Sequence, residues 1–255
     1  MLANYHTHTW RCNHATGTEE EYVTRAIDRG LELFGFSDHT PYIFPGDYYS
    51  TFRMKLELLD DYVDTVLALR EKYSDRIQIP LGLEIEYYPD LIGKLLPILR
   101  DKPIDYLLLG QHFVGNEMDE PYSGRPARGE EHLSVYCRQV AQALNTGLFT
   151  YLAHPDLLYY PGDRKVYQKH MALICREAKQ CDIPLEFNLA GLACGKNYPN
   201  PCFWELAAEE GNRVVLGLDA HRAEDVSDTA LEQRAMELLG QLGIQPESRV
   251  TLRKI

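Results

Sequence analysis

Residues 106–112 read Tyr-Leu-Leu-Leu-Gly-Gln-His, a short apolar run that is followed within three residues by a histidine. A run of this length, ended by a glycine, is typical of a buried β-strand. The histidine therefore lies just beyond the carboxyl end of the predicted strand. Similar runs occur along the whole chain, and the residues that follow them carry most of the functional information.

Short apolar runs alternate with longer segments of helical period, which is typical of repeated βα units. Thr18-Glu19-Glu20-Glu21 is a capping box and predicts a helix that ends near Gly30. Further helices are predicted over residues 53–73, 131–146, 164–181, 202–211 and 228–241. Seven strands are predicted over Leu2–Tyr5, Leu33–Phe36, Gln78–Ile85, Tyr106–Leu109, Phe149–Leu152, Leu185–Phe187 and Val214–Leu218.

The ends of these strands share one chemistry. Six of the seven finish on a histidine, glutamate or aspartate, and the seventh finishes on Asn188. In a parallel βα barrel the carboxyl ends of all strands meet at one rim, whereas an open sheet spreads them along a line. The sequence therefore predicts an α/β fold with a closed, seven-stranded TIM-like barrel, in a single domain over residues 1–255.

Nine side chains at or near these ends are candidate metal ligands: His6, His8, His14, His39, Glu84, His112, His154, Asp219 and His221. A lone histidine near a strand end is more often a structural residue, but seven together indicate a shared site. His-x-His and Asp-x-His place both side chains on one face of an extended chain. Because a catalytic ion takes three or four protein ligands, nine suit two to three ions. Mixed imidazole and carboxylate ligands favour Zn, Mn or Fe over Ca or Mg.

Composition limits the partners. The chain has 255 residues and a formal net charge of −12. This negative charge argues against nucleic-acid binding and against an anionic membrane surface. The sequence shows neither a secretory leader nor a long apolar run, so we expect a cytoplasmic protein with no membrane partner.

Six cysteines without a C-x-x-C pair are expected to be reduced thiols. Nothing in the sequence indicates an oligomeric state.

The motifs resemble, in order and over essentially the whole chain, those of the polymerase and histidinol phosphatase (PHP) superfamily. They are His6-x-His8, Ser37-Asp38-His39, Gly82-Leu83-Glu84, His112, His154 and Asp219-x-His221. The resemblance is strongest to the histidinol-phosphatase branch. The stretches that carry it are Arg11-Cys12-Asn13-His14-Ala15 and Ala153-His154-Pro155-Asp156.

The resemblance implies a distorted (β/α)7 barrel and a trinuclear metal centre. It implies a first metal on His6, His8, Glu84 and Asp219, a second on Glu84, His112 and His154, and a third on His14, His39 and His221. The implied enzyme is a phosphoric monoester hydrolase that converts L-histidinol phosphate to L-histidinol and phosphate in histidine biosynthesis. A metal-bridging hydroxide would be the nucleophile, because two adjacent ions lower the pKa of a shared water. Glu84, as the shared ligand, would also be catalytic.

Further residues are candidates for contact with the substrate, a small phosphorylated molecule. Asp156 is a candidate proton donor or amine contact, and the remaining candidates are Lys196, Arg164, Arg222, Asn188 and Tyr198. The histidinol-phosphatase branch often carries an arginine where this chain has Ala193 and a serine where it has Gln111. A phosphatase for another small phosphomonoester is therefore the main alternative. A nucleotide or DNA phosphoesterase and a non-catalytic metal-binding protein are weaker alternatives.

Three residues near the candidate ligands allow two interpretations each. Cys12 is either a thiolate ligand or an unligated thiol, and the complete histidine set favours the second. Glu86 lies on the same strand face as Glu84 and either assists the site or forms a structural ion pair. Asp38 either orients an imidazole or caps the following helix.

Overall fold

Seven short parallel β-strands form the centre of the computed structural model, which describes residues 1–195 and 197–255. They are β1 (Ala3–Asn4), β2 (Leu33–Phe34), β3 (Gly82–Ile85), β4 (Tyr106–Leu109), β5 (Tyr151–Leu152), β6 (Leu185–Asn188) and β7 (Val214–Gly217). Each overlaps a predicted strand, and every strand residue is buried. β1 is shorter than predicted. The side chain of Asn4 there accepts a hydrogen bond from the backbone of Leu218 at 2.9 Å, in place of a ladder partner.

The strands form a ring. Strands β3 to β7 pair in chain order as one parallel sheet, and β1 and β2 form a second parallel pair. Parallel bridges join the two, Phe36 with Leu81 on one side and Thr7 with Ala220 on the other. At the second junction the backbone N–H of His8 donates to the carbonyl of Ala220 at 2.9 Å. The prediction of a (β/α)7 barrel is confirmed, and these irregular junctions are its distortion.

Helices connect the successive strands. Those in the described residues are α1 (Glu19–Asp28), α2 (Leu59–Lys72), α3 (Pro89–Arg100), α4 (Glu130–Leu144), α5 (Arg164–Gln180), α6 (Leu189–Cys194), α7 (Pro201–Glu210) and α8 (Thr229–Gln241). The predicted capping box is confirmed, because the backbone N–H of Thr18 donates to the Glu21 carboxylate at 2.7 Å. None of these helices combines the length and the apolar character needed to cross a membrane.

Two helices are absent from the prediction. Helix α3 contains Gly93 and Pro97, which are read in a sequence as helix breakers. It also begins with Pro89, which suits a first helical position because its fixed φ matches the helix. Helix α6 starts directly after β6, where the side chain of Asn188 accepts a hydrogen bond from Gly191 N. A helix of this length has no apolar period long enough to detect.

Tyrosine side chains fill the inside of the barrel. The rings of Tyr5 and Tyr106 meet edge to face with centroids 6.0 Å apart, and those of Tyr5 and Tyr151 are 6.3 Å apart. The Tyr106 hydroxyl donates to the carbonyl of Tyr5 at 2.6 Å. The interior is therefore packed, and the open rim formed by the carboxyl ends of the strands remains for function.

We expect Leu107→Ala to lower the free energy of unfolding by about 2–5 kcal/mol, because the side chain is completely buried in the central strand β4. Leu238→Ala is the control, since Leu238 is 36% exposed on α8, and it should cost less than about 0.5 kcal/mol. Urea unfolding followed by circular dichroism measures both. Equal losses for the two variants would contradict this description of the core.

Candidate metal centre

The nine predicted ligands converge at the carboxyl ends of the strands. Glu84 lies within β3, and the others follow β1, β2, β4, β5 and β7. Eight of the nine line a cavity of about 950 Å³, and His6 lies behind them, fully buried. Most of the set is buried, whereas His14 is exposed and His221 is half-buried. The barrel thus brings together side chains that are more than 200 residues apart in the chain, such as His6 and Asp219.

Glu84 lies at the middle of this cluster. Its Oε2 atom is 3.5 Å from Nε2 of His6, 3.5 Å from Nε2 of His8 and 3.0 Å from Nδ1 of His39. Its Oε1 atom faces the other side, 2.8 Å from Nε2 of His154 and 3.6 Å from Nε2 of His112. The two oxygens of one carboxylate therefore face two different groups of imidazoles, as a bridging ligand requires.

The Glu84 carboxylate lies against the backbone of β4. A Cβ atom at position 110 would be 1.8 Å from Glu84 Oε1, so only glycine fits there. Gly110 ends the run of apolar residues in β4 and precedes His112 by two residues. The glycine that marks the strand end in the sequence is thus also what makes room for the central carboxylate.

The first group has the spacing of a tetrahedral metal site. Nε2 of His8 is 3.2 Å from Nε2 of His6 and 3.2 Å from Oδ1 of Asp219, and the His6 to Asp219 distance is 3.5 Å. Glu84 Oε2 completes the set at 3.5 Å from both histidines. Four donors around a zinc ion at 2.0–2.1 Å are separated by about 3.4 Å. These five distances are close to the spacing of donors around a zinc ion.

The remaining ligands form two further groups. Glu84 Oε1, His112 and His154 make one, and the rings of the two histidines have centroids 4.8 Å apart. His14, His39 and His221 make the other, with ligand atoms that all lie within 4.8 Å of one another. Other triads of ligand atoms lie equally close, such as His6, Glu84 and His154, so the division into the three implied ligand sets stays a prediction.

Hydrogen bonds set the direction of several imidazoles. Nδ1 of His6 is 2.7 Å from Glu186, and Nδ1 of His112 is 2.9 Å from Glu86. Nδ1 of His14 and of His221 face backbone carbonyls at 2.9 and 3.0 Å. Because these acceptors require an N–H at Nδ1, each ring is left with a lone pair on Nε2. That lone pair is what a metal ion needs from a histidine.

Several buried polar atoms at the centre are placed to bind cations and make no hydrogen bond with the described residues. Glu84 Oε2 and Nδ1 of His8, His39 and His154 are buried without a hydrogen-bond partner among the described residues. Burial opposes ionisation of Glu84, yet the neighbouring His112, His39 and His6 hold the pKa of its carboxyl well below the usual range. Buried anions require positive charge nearby. Imidazole and carboxylate donors are those that Zn, Mn and Fe accept.

Two histidines of the third group, His39 and His221, can act as neutral metal ligands. Burial, together with the nearby His8, lowers the pKa of His39 well below its usual value and lowers that of His221 to about 4. Both rings are therefore uncharged at neutral pH and keep a lone pair for an ion.

Outer carboxylates resolve two of the open interpretations. Glu86 does both things considered for it, because it pairs with the buried Arg53 at 3.0 Å and accepts the hydrogen bond from His112. Asp38 does not cap α2, which begins twenty-one residues later at Leu59; its Oδ1 atom accepts a hydrogen bond from the backbone N–H of His39 at 2.8 Å and lies 3.4 Å from Nδ1 of His8 without a hydrogen bond to that ring. Arg53 also pairs with the buried Glu117, which ties the rim loops to the centre.

Cys12 lies beside the third group. Its sulfur is within 4.8 Å of ligand atoms of His8 and His221, and burial raises the pKa of its thiol. A protonated thiol is a poor metal ligand. The unligated form of Cys12 stays a prediction.

The residues predicted to contact substrate fall in different places. Tyr198 and Arg222 line the cavity, and Asn188 lies beside it with its amide 3.1 Å from Asp219. Arg164 does not line the cavity and pairs with Glu205 on the surface. Lys196 lies outside the described residues.

Asp156 is completely buried and does not line the cavity. Its carboxylate accepts hydrogen bonds from the backbone of Asn200 and, at 3.1 Å, from the Trp204 indole. Burial raises the pKa of Asp156 to about 7, although these hydrogen bonds lower it. The role of proton donor or amine contact stays a prediction.

Two features of the site escaped the sequence prediction. Glu186 is buried against His6, and the rings of Phe52 and Phe113 join those of Tyr122 and the predicted Tyr198 in the cavity wall. A signal for Glu186 existed, since residues two apart in a strand face the same way and Glu186 precedes Asn188 by two. The aromatic residues lie in long loops, whose path a single sequence does not reveal.

Comparisons with known proteins agree with this geometry. The family model of the PHP domain matches residues 4–190. A probable histidinol-phosphatase of Deinococcus radiodurans is 33% identical over 237 residues, covering 88% of both chains. A probable phosphatase of Shewanella halifaxensis is 27% identical over 239 residues, covering 92% of this chain and 84% of that protein.

Among solved structures, histidinol phosphate phosphatase from Lactococcus lactis, complexed with zinc, L-histidinol and phosphate, is similar with a TM-score of 0.75. The two chains are 20% identical, and the match covers 98% of this chain and 97% of the other, which supports the fold. Because the PHP model spans well over half of the residues, the chain belongs to the PHP domain family.

We expect the purified protein to retain more than one equivalent of zinc or manganese per chain after desalting, measured by plasma mass spectrometry. Glu84→Gln should lower the metal content at two ion sites at once, because Glu84 faces two groups of histidines. Glu247→Gln is the matched control, since Glu247 pairs with Arg213 away from the cavity and should leave the metal content unchanged. Equal metal content in all three proteins would contradict the central place of Glu84.

Proposed function

We propose that this PHP-domain phosphatase hydrolyses a small phosphomonoester, with L-histidinol phosphate as the first substrate to test. The observation that carries the proposal is the Glu84 carboxylate, whose two oxygens face two groups of imidazoles at 2.8–3.6 Å. The names of the Deinococcus and Lactococcus relatives support the choice of substrate. The cavity of about 950 Å³ lies within the range of small-molecule sites.

The metal requirement is part of the proposal. We propose two to three divalent ions of Zn, Mn or Fe. His6, His8, Glu84 and Asp219 would hold the first, Glu84, His112 and His154 the second, and His14, His39 and His221 the third. When bound, such ions activate water and offset the charge of a phosphate group. Hydrolysis of a phosphomonoester is among the slowest uncatalysed reactions, which is a reason for several Lewis acids in one site.

The chain itself contributes a cation for the phosphate. Arg222 is the only lysine or arginine among the cavity-lining residues that the structure describes. Its guanidinium pairs with Asp225 at 2.9 Å on an exposed part of the rim, and its side chain is 68% accessible. Since an exposed ion pair is weak, the guanidinium can leave Asp225 for a dianionic phosphate.

The cavity wall suits an organic group that is flat and carries an amine. Phe52 lies 5.4 Å from the ring of His39, and Tyr198 lies 6.0 Å from that of His154, so aromatic faces adjoin the proposed metal ligands. The carboxylates of Glu224, Asp225 and Asp228 line the same cavity and would attract an ammonium group. An amino alcohol with an aromatic ring, such as L-histidinol, combines both features.

A different small phosphomonoester is the second candidate, and one observation favours it. Ala193, which stands where the histidinol-phosphatase branch often carries an arginine, lines the cavity. The phosphate therefore has no cation from this position. A substrate whose own shape fills the space beside Ala193 would suit the site as well.

We expect the metal-loaded protein to release phosphate from L-histidinol phosphate faster than from a panel of sugar phosphates, nucleotides and p-nitrophenyl phosphate. Phosphate is measured by a colorimetric assay, and protein treated with a chelator is the control. A higher kcat/KM for another monoester would select the second candidate. Release from none of them by fully loaded protein would contradict the proposed function.

Arg222→Gln should raise KM for the phosphomonoester about tenfold or more, because a charge-assisted contact to phosphate contributes about 1.5–3 kcal/mol. Arg164→Gln tests the other arginine suggested by the sequence. We expect it to leave kcat/KM within twofold, since Arg164 pairs with Glu205 outside the cavity. The reverse ranking would move the phosphate contact to α5.

A further inference from the structure

Glu186 is a carboxylate beside the metal centre that is not one of the nine candidate ligands. It is completely buried within β6. Its Oε1 atom lies 2.7 Å from Nδ1 of His6 and 3.2 Å from the hydroxyl of Tyr151. Its Oε2 atom accepts hydrogen bonds from the backbone N–H of His154 at 3.0 Å and from the Asn188 amide at 2.9 Å. One side chain thus joins its own strand β6 to β5 and to the segment that follows β1.

The partners of Glu186 fix the direction of every hydrogen bond that its carboxylate makes. The backbone N–H of His154 and the NH₂ of Asn188 can only donate. A carboxylate offers only acceptors, so His6 must carry its proton on Nδ1. In the neutral ring, which is the form that a metal ion binds, Nε2 of His6 then carries a lone pair directed at His8, Asp219 and Glu84, which lie 3.2–3.5 Å away.

Glu186 also holds a second part of the centre. The backbone of His154 has a φ of 30°, in the region that residues other than glycine rarely adopt. Its N–H is bonded to Glu186, and its imidazole lies 2.8 Å from Glu84. Space for Glu186 comes from β7, because a Cβ atom at Gly217 would lie 1.7 Å from its Oε1.

We propose that Glu186 is a positioning residue that keeps His6 in the Nδ1–H form and holds the backbone of His154, and that it thereby sets the metal affinity of the centre. The inference rests on the metal centre of the proposed function. It concerns metal binding alone, and it stands whether or not the bound metal hydrolyses L-histidinol phosphate.

The test is Glu186→Gln, which keeps the shape of the side chain and replaces one acceptor oxygen with a donor NH₂. That NH₂ faces either His154 and Asn188, which are fixed donors, or His6. His6 can adapt only by moving its proton to Nε2, where the proton replaces the lone pair directed at the centre. We expect zinc affinity, measured by competition with a fluorescent chelator, to fall roughly 10- to 100-fold.

Two comparison variants separate positioning from general damage to the fold. Glu19→Gln removes the charge of another buried glutamate, which pairs with Arg11, and should leave zinc affinity unchanged. Glu186→Asp keeps a carboxylate and should recover part of the affinity that Glu186→Gln loses. Zinc affinity in Glu186→Gln equal to that of the wild type, or an equal loss in Glu19→Gln, would overturn the proposal.

A spectroscopic measurement needs no substitution. In zinc-loaded protein labelled with ¹⁵N-histidine, we expect His6 to show a proton on Nδ1 that exchanges slowly because it is buried against Glu186. A proton on Nε2 of His6 in the wild type would overturn the proposal, even if Glu186→Gln did not fold. Absence of phosphatase activity in the metal-loaded wild type would contradict only the proposed function.

Discussion

The structure depends on negative charge that is buried where the strands end. Glu84 and Asp219 are 1% and 7% exposed, and both pKa values are held low by surrounding histidines against the effect of burial. Buried carboxylates are tolerated only where positive charge and hydrogen bonds replace water. A closed barrel meets this need because it brings donors from all strand ends to one place. Divalent ions at the centre would supply the remaining positive charge.

Around this centre the side chains form two layers with different tasks. The inner layer, made of the nine candidate ligands, presents lone pairs to the centre. The outer layer, made of carboxylates such as Glu186 and Glu86, sets which imidazole nitrogen carries the proton. Glu186 and Glu86 each accept a hydrogen bond from one of the candidate ligands, His6 and His112, and Arg53 joins Glu86 to Glu117 in the rim. The formal charge of −12 therefore says little about the cavity, since distant surface charges are screened beyond about 8–10 Å.

The sequence predicts most of the inner layer and little of the outer one. Candidate ligands such as His112 and Asp219 directly follow strands whose apolar runs are visible, so the barrel brings them to one rim. Contacts such as Glu186 with His6 join residues 180 positions apart, and no local pattern reports them. Helix α3 escaped prediction because Pro97 stops a helix in most contexts. Arg164 was assigned to phosphate by charge alone, whereas its helix directs it to Glu205.

The most direct test of a bridged metal centre is anomalous diffraction from crystals of the metal-loaded protein, collected above and below the absorption edge of the bound metal. We expect at least two anomalous peaks, one beside each oxygen of Glu84, with His6, His8 and Asp219 around one and His112 and His154 around the other. A single peak that does not touch Glu84, or peaks only at the protein surface, would contradict it.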